Sequence, residues 1–280
     1  MDLVQAADIA ITSAGVLVVL GTAVRLGRGR RWRLLLHELP ARPGGPGWAE
    51  LLAGLALCVL LQNVGVLAAV GAASDWQQPG SAAWHAAQAG LQAGNLLAAG
   101  ALAVLLAWRP FVGEFGPALR TGVTVAVLGV LALLPVLTVL YEAGRLVYEQ
   151  LRPGQAAPLH SMLRALHTSA WGAAGRWQIA FGAIVVAPLL EELLFRGLLL
   201  GALRRHLRNA GTAIAAAGVA FGLIHVAQPQ DVAPLAVMGT VLGYIRLRWG
   251  ALWPCVLIHM LFNARTIAVA LLVPEAVGAR

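Results

Sequence analysis

Long apolar runs leave this chain few ways to fold. Ile9–Val24, Leu51–Val70, Trp84–Trp108, Thr121–Tyr141, Trp177–Leu200, Ala213–Ala227, Ala233–Ile245 and Ala251–Val273 are dominated by aliphatic side chains. A hydrocarbon core of about 30 Å is crossed by roughly 20 such residues in a helix. Inside lipid every backbone N–H and C=O must find a partner within the protein, which leaves helices or a closed barrel. Runs of this length choose the helix, and the expected fold is all-α: a polytopic membrane protein of about eight transmembrane helices. The seventh run is the shortest. Charge supports the same reading, since 11% of the 280 residues are charged, against about 25% in a soluble chain. Trp84, Trp108, Tyr141, Trp177 and Trp249 sit at the ends of runs, where interfacial aromatics belong. The first residues carry Asp2 and Asp8 and no Arg, so a cleavable signal peptide is not expected.

All 20 basic residues are Arg. That bias is read as the mark of a GC-rich genome, and it places the chain in a bacterial cytoplasmic membrane. The Arg residues gather beside apolar runs, as topology signals do, and not in a nucleic-acid footprint. Arg25, Arg28, Arg30, Arg31, Arg33 and Arg42 follow the first run. Arg109 and Arg120, then Arg204, Arg205 and Arg208, then Arg246 and Arg248 occupy alternate loops. The opposite loops Gly71–Ala83 and Gln228–Val232 have none, which puts both termini outside. Residues 142–176 dissent with Arg145, Arg152, Arg164 and Arg176; within them Leu159–Trp171 has the pattern of an interfacial amphipathic helix. Cys58 and Cys255 lie in apolar runs and read as small hydrophobes.

The chemistry is concentrated in the last four runs. Ala187-Pro-Leu-Leu-Glu-Glu-Leu-Leu-Phe-Arg-Gly197 places two adjacent carboxylates in an apolar helix. One such charge costs about 2.5–3.5 kcal/mol on insertion scales. Arg196 lies one turn after Glu192 and can pair with it, whereas Glu191 points about 100° away and has no obvious local partner. Phe221 and His225 are four residues apart on the sixth run, and His259 and Asn263 four apart on the eighth. Counting about 1.5 Å per residue, Glu191 and His259 come to rest at a similar depth, with His225 slightly deeper. A carboxylate in low dielectric can act as general base on water, a neighbouring imidazole can hold that water or protonate the leaving amine, and a His/Asn pair can donate to an oxyanion. No Ser or Cys nucleophile lies near in sequence, and His-Glu-x-x-His is absent. Two His and one Glu could also bind Zn²⁺ with an open position. A transporter or immunity-type protein with a buried polar path is the non-enzymatic alternative, though no inverted repeat or pair of broken helices supports it.

Glu191-Glu192-x-x-x-Arg196, Phe221-x-x-x-His225 and His259-x-x-x-Asn263, in this order on successive apolar segments, resemble the three motifs of the CPBP family. This is the group of type II CAAX prenyl endopeptidases and bacteriocin-processing, ABI-like relatives. The resemblance runs from about Trp177 to Val273. It implies a glutamic-type intramembrane endopeptidase without a cofactor, or with zinc in the earlier proposals for the family. Glu191 and His225 would activate water, His259 and Asn263 would stabilise the oxyanion, and Glu192, Arg196 and Phe221 would shape the site. The implied partners are the lipid bilayer and a membrane-anchored peptide or protein; no nucleic acid is implied. The chain then divides into N-terminal transmembrane helices (1–150), an interfacial amphipathic segment (151–176) and a CPBP-like catalytic membrane core (177–280).

Overall fold

The computed structural model describes residues 3–28, 45–71, 75–107, 119–168, 172–207 and 209–272. Nine helical elements run along them: α1 (Leu3–Arg28), α2 (Trp48–Val70), α3 (Ala82–Ala107), α4 (Leu119–Leu151), the short α5 (Ser161–Thr168), a composite rod α6, then α7 (Ala210–Leu223), α8 (Pro229–Trp249) and α9 (Trp253–Leu272). The rod α6 is α-helical over Gly172–Phe181, Ala187–Glu192 and Leu200–His206, with π-helical turns at Gly182–Val186 and Leu193–Leu199 between them. No strand occurs among the described residues. The protein is an all-α membrane protein.

Four helices, α2, α3, α4 and α9, are long and apolar enough to cross a membrane by length and composition alone. Their outward faces are apolar: Leu52, Val59, Leu60 and Leu67 on α2, and Val127, Leu128 and Val139 on α4, are exposed. Exposed aliphatic faces of this extent, on helices long enough to span a bilayer, suit a lipid-facing surface. Each apolar run of the sequence falls on one helix, with differences of extent, three of which bear on the fold. The fourth continues past Tyr141 to Leu151, because Arg145 bridges Glu142 and Glu149 along one face at 2.9 Å each and sustains the helix beyond the apolar part. The sixth stops at Leu223, not Ala227. The short seventh belongs to a 21-residue helix, opened by Pro229 in its first turn and closed by Gly250 at φ 75°. In the 151–176 segment, α5 buries Ala165 and Leu166 against Ile179 and Ile267 while Arg164 stays exposed. Arg30, Arg31, Arg33, Arg42, Trp108, Arg109, Trp171, Arg208 and Val273 lie outside the described residues.

The helix ends sort into two groups. Trp48 stacks on His206 with ring centroids 5.5 Å apart, and Leu247 packs with Leu200 and Ile214. This gathers the start of α2, the end of α6 and the end of α8 at one end of the bundle. At the other end His85 meets Gln178, and Gln230 Nε2 donates to Pro158 O at 2.8 Å. From the Arg bias the first end is expected to be cytoplasmic. Single cysteines at Arg204 and Gln77 test this with an impermeant maleimide, against low background because Cys58 and Cys255 are buried. External reagent should label Gln77→Cys alone; labelling of Arg204→Cys instead reverses the orientation.

Candidate active site

The two adjacent carboxylates of α6 have opposite environments. Glu192 is fully buried; its Oε1 accepts from Arg196 Nη1 at 2.8 Å and sits 2.9 Å from His259 Nδ1. Glu191 keeps a quarter of its side chain exposed, and its Oε2 lies 3.8 Å from His259 Nε2, too far for a hydrogen bond. One imidazole therefore stands between the two carboxylates, with Nδ1 on Glu192 and Nε2 toward Glu191. A carboxylate that already accepts from a guanidinium is acceptor-only, so His259 Nδ1–H donates a hydrogen bond to it, which fixes the ring's orientation.

Backbone geometry makes this pairing possible. The π-helical turn at Leu193–Leu199 carries Arg196 inward to 1% exposure. From there its Nη2 donates to Gly239 O on α8 at 3.3 Å. That carbonyl is within reach because α7 and α8 cross at Gly218 and Gly239, where a Cβ on either would collide with the other helix. Phe221 is the hydrophobic hub. It is fully buried, with Arg196 Cζ 4.6 Å from its ring centroid and Phe195, His225 and His259 around it at 5.0, 5.3 and 5.6 Å. The guanidinium on its face and the imidazole edges on its rim are the contacts an aromatic quadrupole favours.

His225 lies past the last helical residue of α7, in the turn that links it to α8. Its Nδ1 is 2.9 Å from Phe221 O, so Nδ1–H donates to that carbonyl and Nε2 carries the lone pair. It is close enough to act electrostatically on Glu191. Asn263, one turn from His259 on α9, donates from Nδ2 to Ala183 O at 2.7 Å.

Several groups around the site carry no motif. His160, just before α5, accepts Met162 N–H on Nδ1 at 3.2 Å. Burial, with His225 and Arg164 nearby, holds its imidazole below the usual range. On α3, His85, Gln92 and Asn95 bond to Gln178, to Gln178 O and to Gln62. The three-to-four-residue spacing of His85, Gln88, Gln92 and Asn95 was the available signal for this polar stripe. As for zinc, among the described residues no three His, Cys, Asp or Glu side chains converge closely enough to hold a metal ion. The Nδ1 atoms of His225 and His259 are both held by protein acceptors, which leaves Nε2 as the available nitrogen of each ring.

Residues 173–265 match the family model described as type II CAAX prenyl endopeptidase Rce1-like. Over these residues the chain is similar to the CPBP family. No curated protein and no solved structure gives a significant match. The CPBP match begins at the second residue of α6 and ends inside α9, so it takes in Glu191, Glu192, Arg196, Phe221, His225, His259 and Asn263. The helices before it pack on the CPBP segment directly: Ala98, Ala99 and Leu102 of α3 share a core with Leu190, Leu193 and Leu198 of α6.

Proposed function

We propose that this protein is an intramembrane endopeptidase that cleaves membrane-anchored peptides with water activated by Glu191. The observation that supports this most is the division of labour between the paired carboxylates. Glu192 is committed to Arg196 and His259, while Glu191 is partly open beside an imidazole and free of any short ion pair. Glu191 takes a proton from water as the water oxygen bonds to the scissile carbonyl carbon. His225 Nε2 accepts the water's second hydrogen and orients it. The carbonyl electron pair moves onto oxygen, where His259 Nε2–H and the second amide hydrogen of Asn263 receive it. In this role His259 carries a hydrogen on each ring nitrogen, Nδ1–H toward Glu192 and Nε2–H toward the oxyanion. Collapse breaks the C–N bond, and the proton held by Glu191 passes to the leaving nitrogen.

No step in this scheme passes through a metal. The apolar outer faces and the depth of the site direct it to substrates tethered in or beside the bilayer. We place it in a bacterial cytoplasmic membrane, on the reading of the all-Arg basic complement as the mark of a GC-rich genome.

The test is cleavage of a library of lipid- or helix-anchored peptides by the purified protein in liposomes, with elemental analysis of the active sample. Cleavage that survives a strong chelator is expected. Stoichiometric zinc that tracks activity, lost on chelation and regained with Zn²⁺, would replace Glu191 as water activator and leave the endopeptidase standing. No cleavage of any anchored peptide by folded protein would sink the proposal.

A further inference from the structure

The first π-helical turn of α6 raises a question of backbone accounting. Across Gly182–Val186 the ladder shifts by one residue, and Ala187 N–H donates to Gly182 O, five residues back. In an ordinary α-helix that N–H would have served Ala183 O. The next donor along, the one a π-ladder would offer to Ala183 O, belongs to residue 188, and residue 188 is proline. Proline has no N–H. Ala183 O is therefore left without a helical donor in a setting where lipid supplies none. The structure fills the gap from another helix: Asn263 Nδ2, on α9, donates to Ala183 O at 2.7 Å.

We infer that Pro188 is a positioning residue for Asn263: by withholding a backbone donor from Ala183 O, it holds the Asn263 amide in the orientation the reaction needs. One amide hydrogen is anchored on Ala183 O, and the planar geometry of the amide then sets the direction of the other. Gly182 allows the arrangement on the opposite flank, where a Cβ would run into Gln92 Nε2, the group that donates to Gln178 O. Two side-chain amides, from α3 and α9, thus hold the π-turn just before the paired carboxylates. The inference rests on the role proposed above for Asn263 as an oxyanion donor, but its structural half stands independently of that role.

Pro188→Ala restores the missing N–H, which competes with Asn263 for Ala183 O. The amide is released, and kcat is expected to fall about 10–100-fold, as for a catalytic group displaced by about 1 Å, with KM changed less than about 3-fold. In the Asn263→Ala background, itself lower by about 10²–10³, Pro188→Ala should add less than about 2-fold. Stability gives a reading that needs no activity. Asn263→Ala should lower the melting temperature in detergent by roughly 2–4 °C in the native background, and by clearly less beside Pro188→Ala, where the backbone serves Ala183 O. Full multiplicative losses of kcat in the double variant, equal melting shifts in both backgrounds, or failure of Pro188→Ala to fold would each overturn the inference. If the melting shifts couple as expected but Asn263→Ala cleaves normally, the positioning of Asn263 holds and its oxyanion role falls.

Discussion

Glu191→Gln should abolish turnover almost completely while leaving the fold intact. The substitution keeps the shape and polarity of the side chain but removes the basic oxygen that receives the water proton. A general base is worth about 10²–10⁴ in rate, and a fall of that size or more in kcat is expected. The structure says why folding should survive. Glu191 is a quarter exposed and has no short ion pair, so an amide leaves no buried charge behind. The comparison with its neighbour sharpens the test: Glu192→Gln breaks contacts to Arg196 and His259 at 2.8 and 2.9 Å, and should damage folding and activity together. Cleavage kinetics and thermal melting on the same preparations separate the two effects. A Glu191→Gln protein that melts normally and still cleaves at a tenth of the native rate or better would remove Glu191 from the role of base.

Much of this site could be read from one-dimensional spacing, and the reasons are physical. A charge inside an apolar run is costly enough that Glu191, Glu192, Arg196 and His259 announce themselves. The four-residue spacing of Glu192 and Arg196 dictates a shared face on a helical rod. The eight long apolar runs similarly fix where the main helices lie, because lipid permits little else. What could not be read was geometry set by backbone irregularity. A π-turn has no composition signature, so the displacement of the ladder at Gly182–Val186, and with it the bond between Asn263 and Ala183, was invisible. His225 was expected on a helix face; the chain leaves the helix at Leu223 and holds the ring by its own Phe221 carbonyl instead. The amides of α3 were overlooked for a different reason: Gln and Asn carry no charge, so a stripe of them in an apolar helix attracts less notice than a single glutamate. Helix ends went astray where polar residues sustain a helix, as Glu142, Arg145 and Glu149 do beyond Tyr141.

Arg196→Ala is the variant expected to cost most stability. Removing one partner of a buried ion pair leaves the other charge unpaired, at about 3–5 kcal/mol. Here the stranded group would be Glu192, fully buried, with one oxygen already lacking a hydrogen-bond partner. Gly239 O would lose its side-chain donor as well, and the face of Phe221 its cation. A loss of that size corresponds to a melting temperature lower by roughly 10 °C for a chain of this length. Replacing both partners by apolar residues of similar volume, Glu192→Leu with Arg196→Met, removes the desolvation cost and the attraction together. The double variant should therefore melt higher than Arg196→Ala and near the native protein. It should still be inactive, because His259 has lost the acceptor that orients its ring. Stability regained without activity identifies the pair as the support of the imidazole. Stability and activity regained together would show that His259 needs no anchor, and Glu192 would then be a filler of the core.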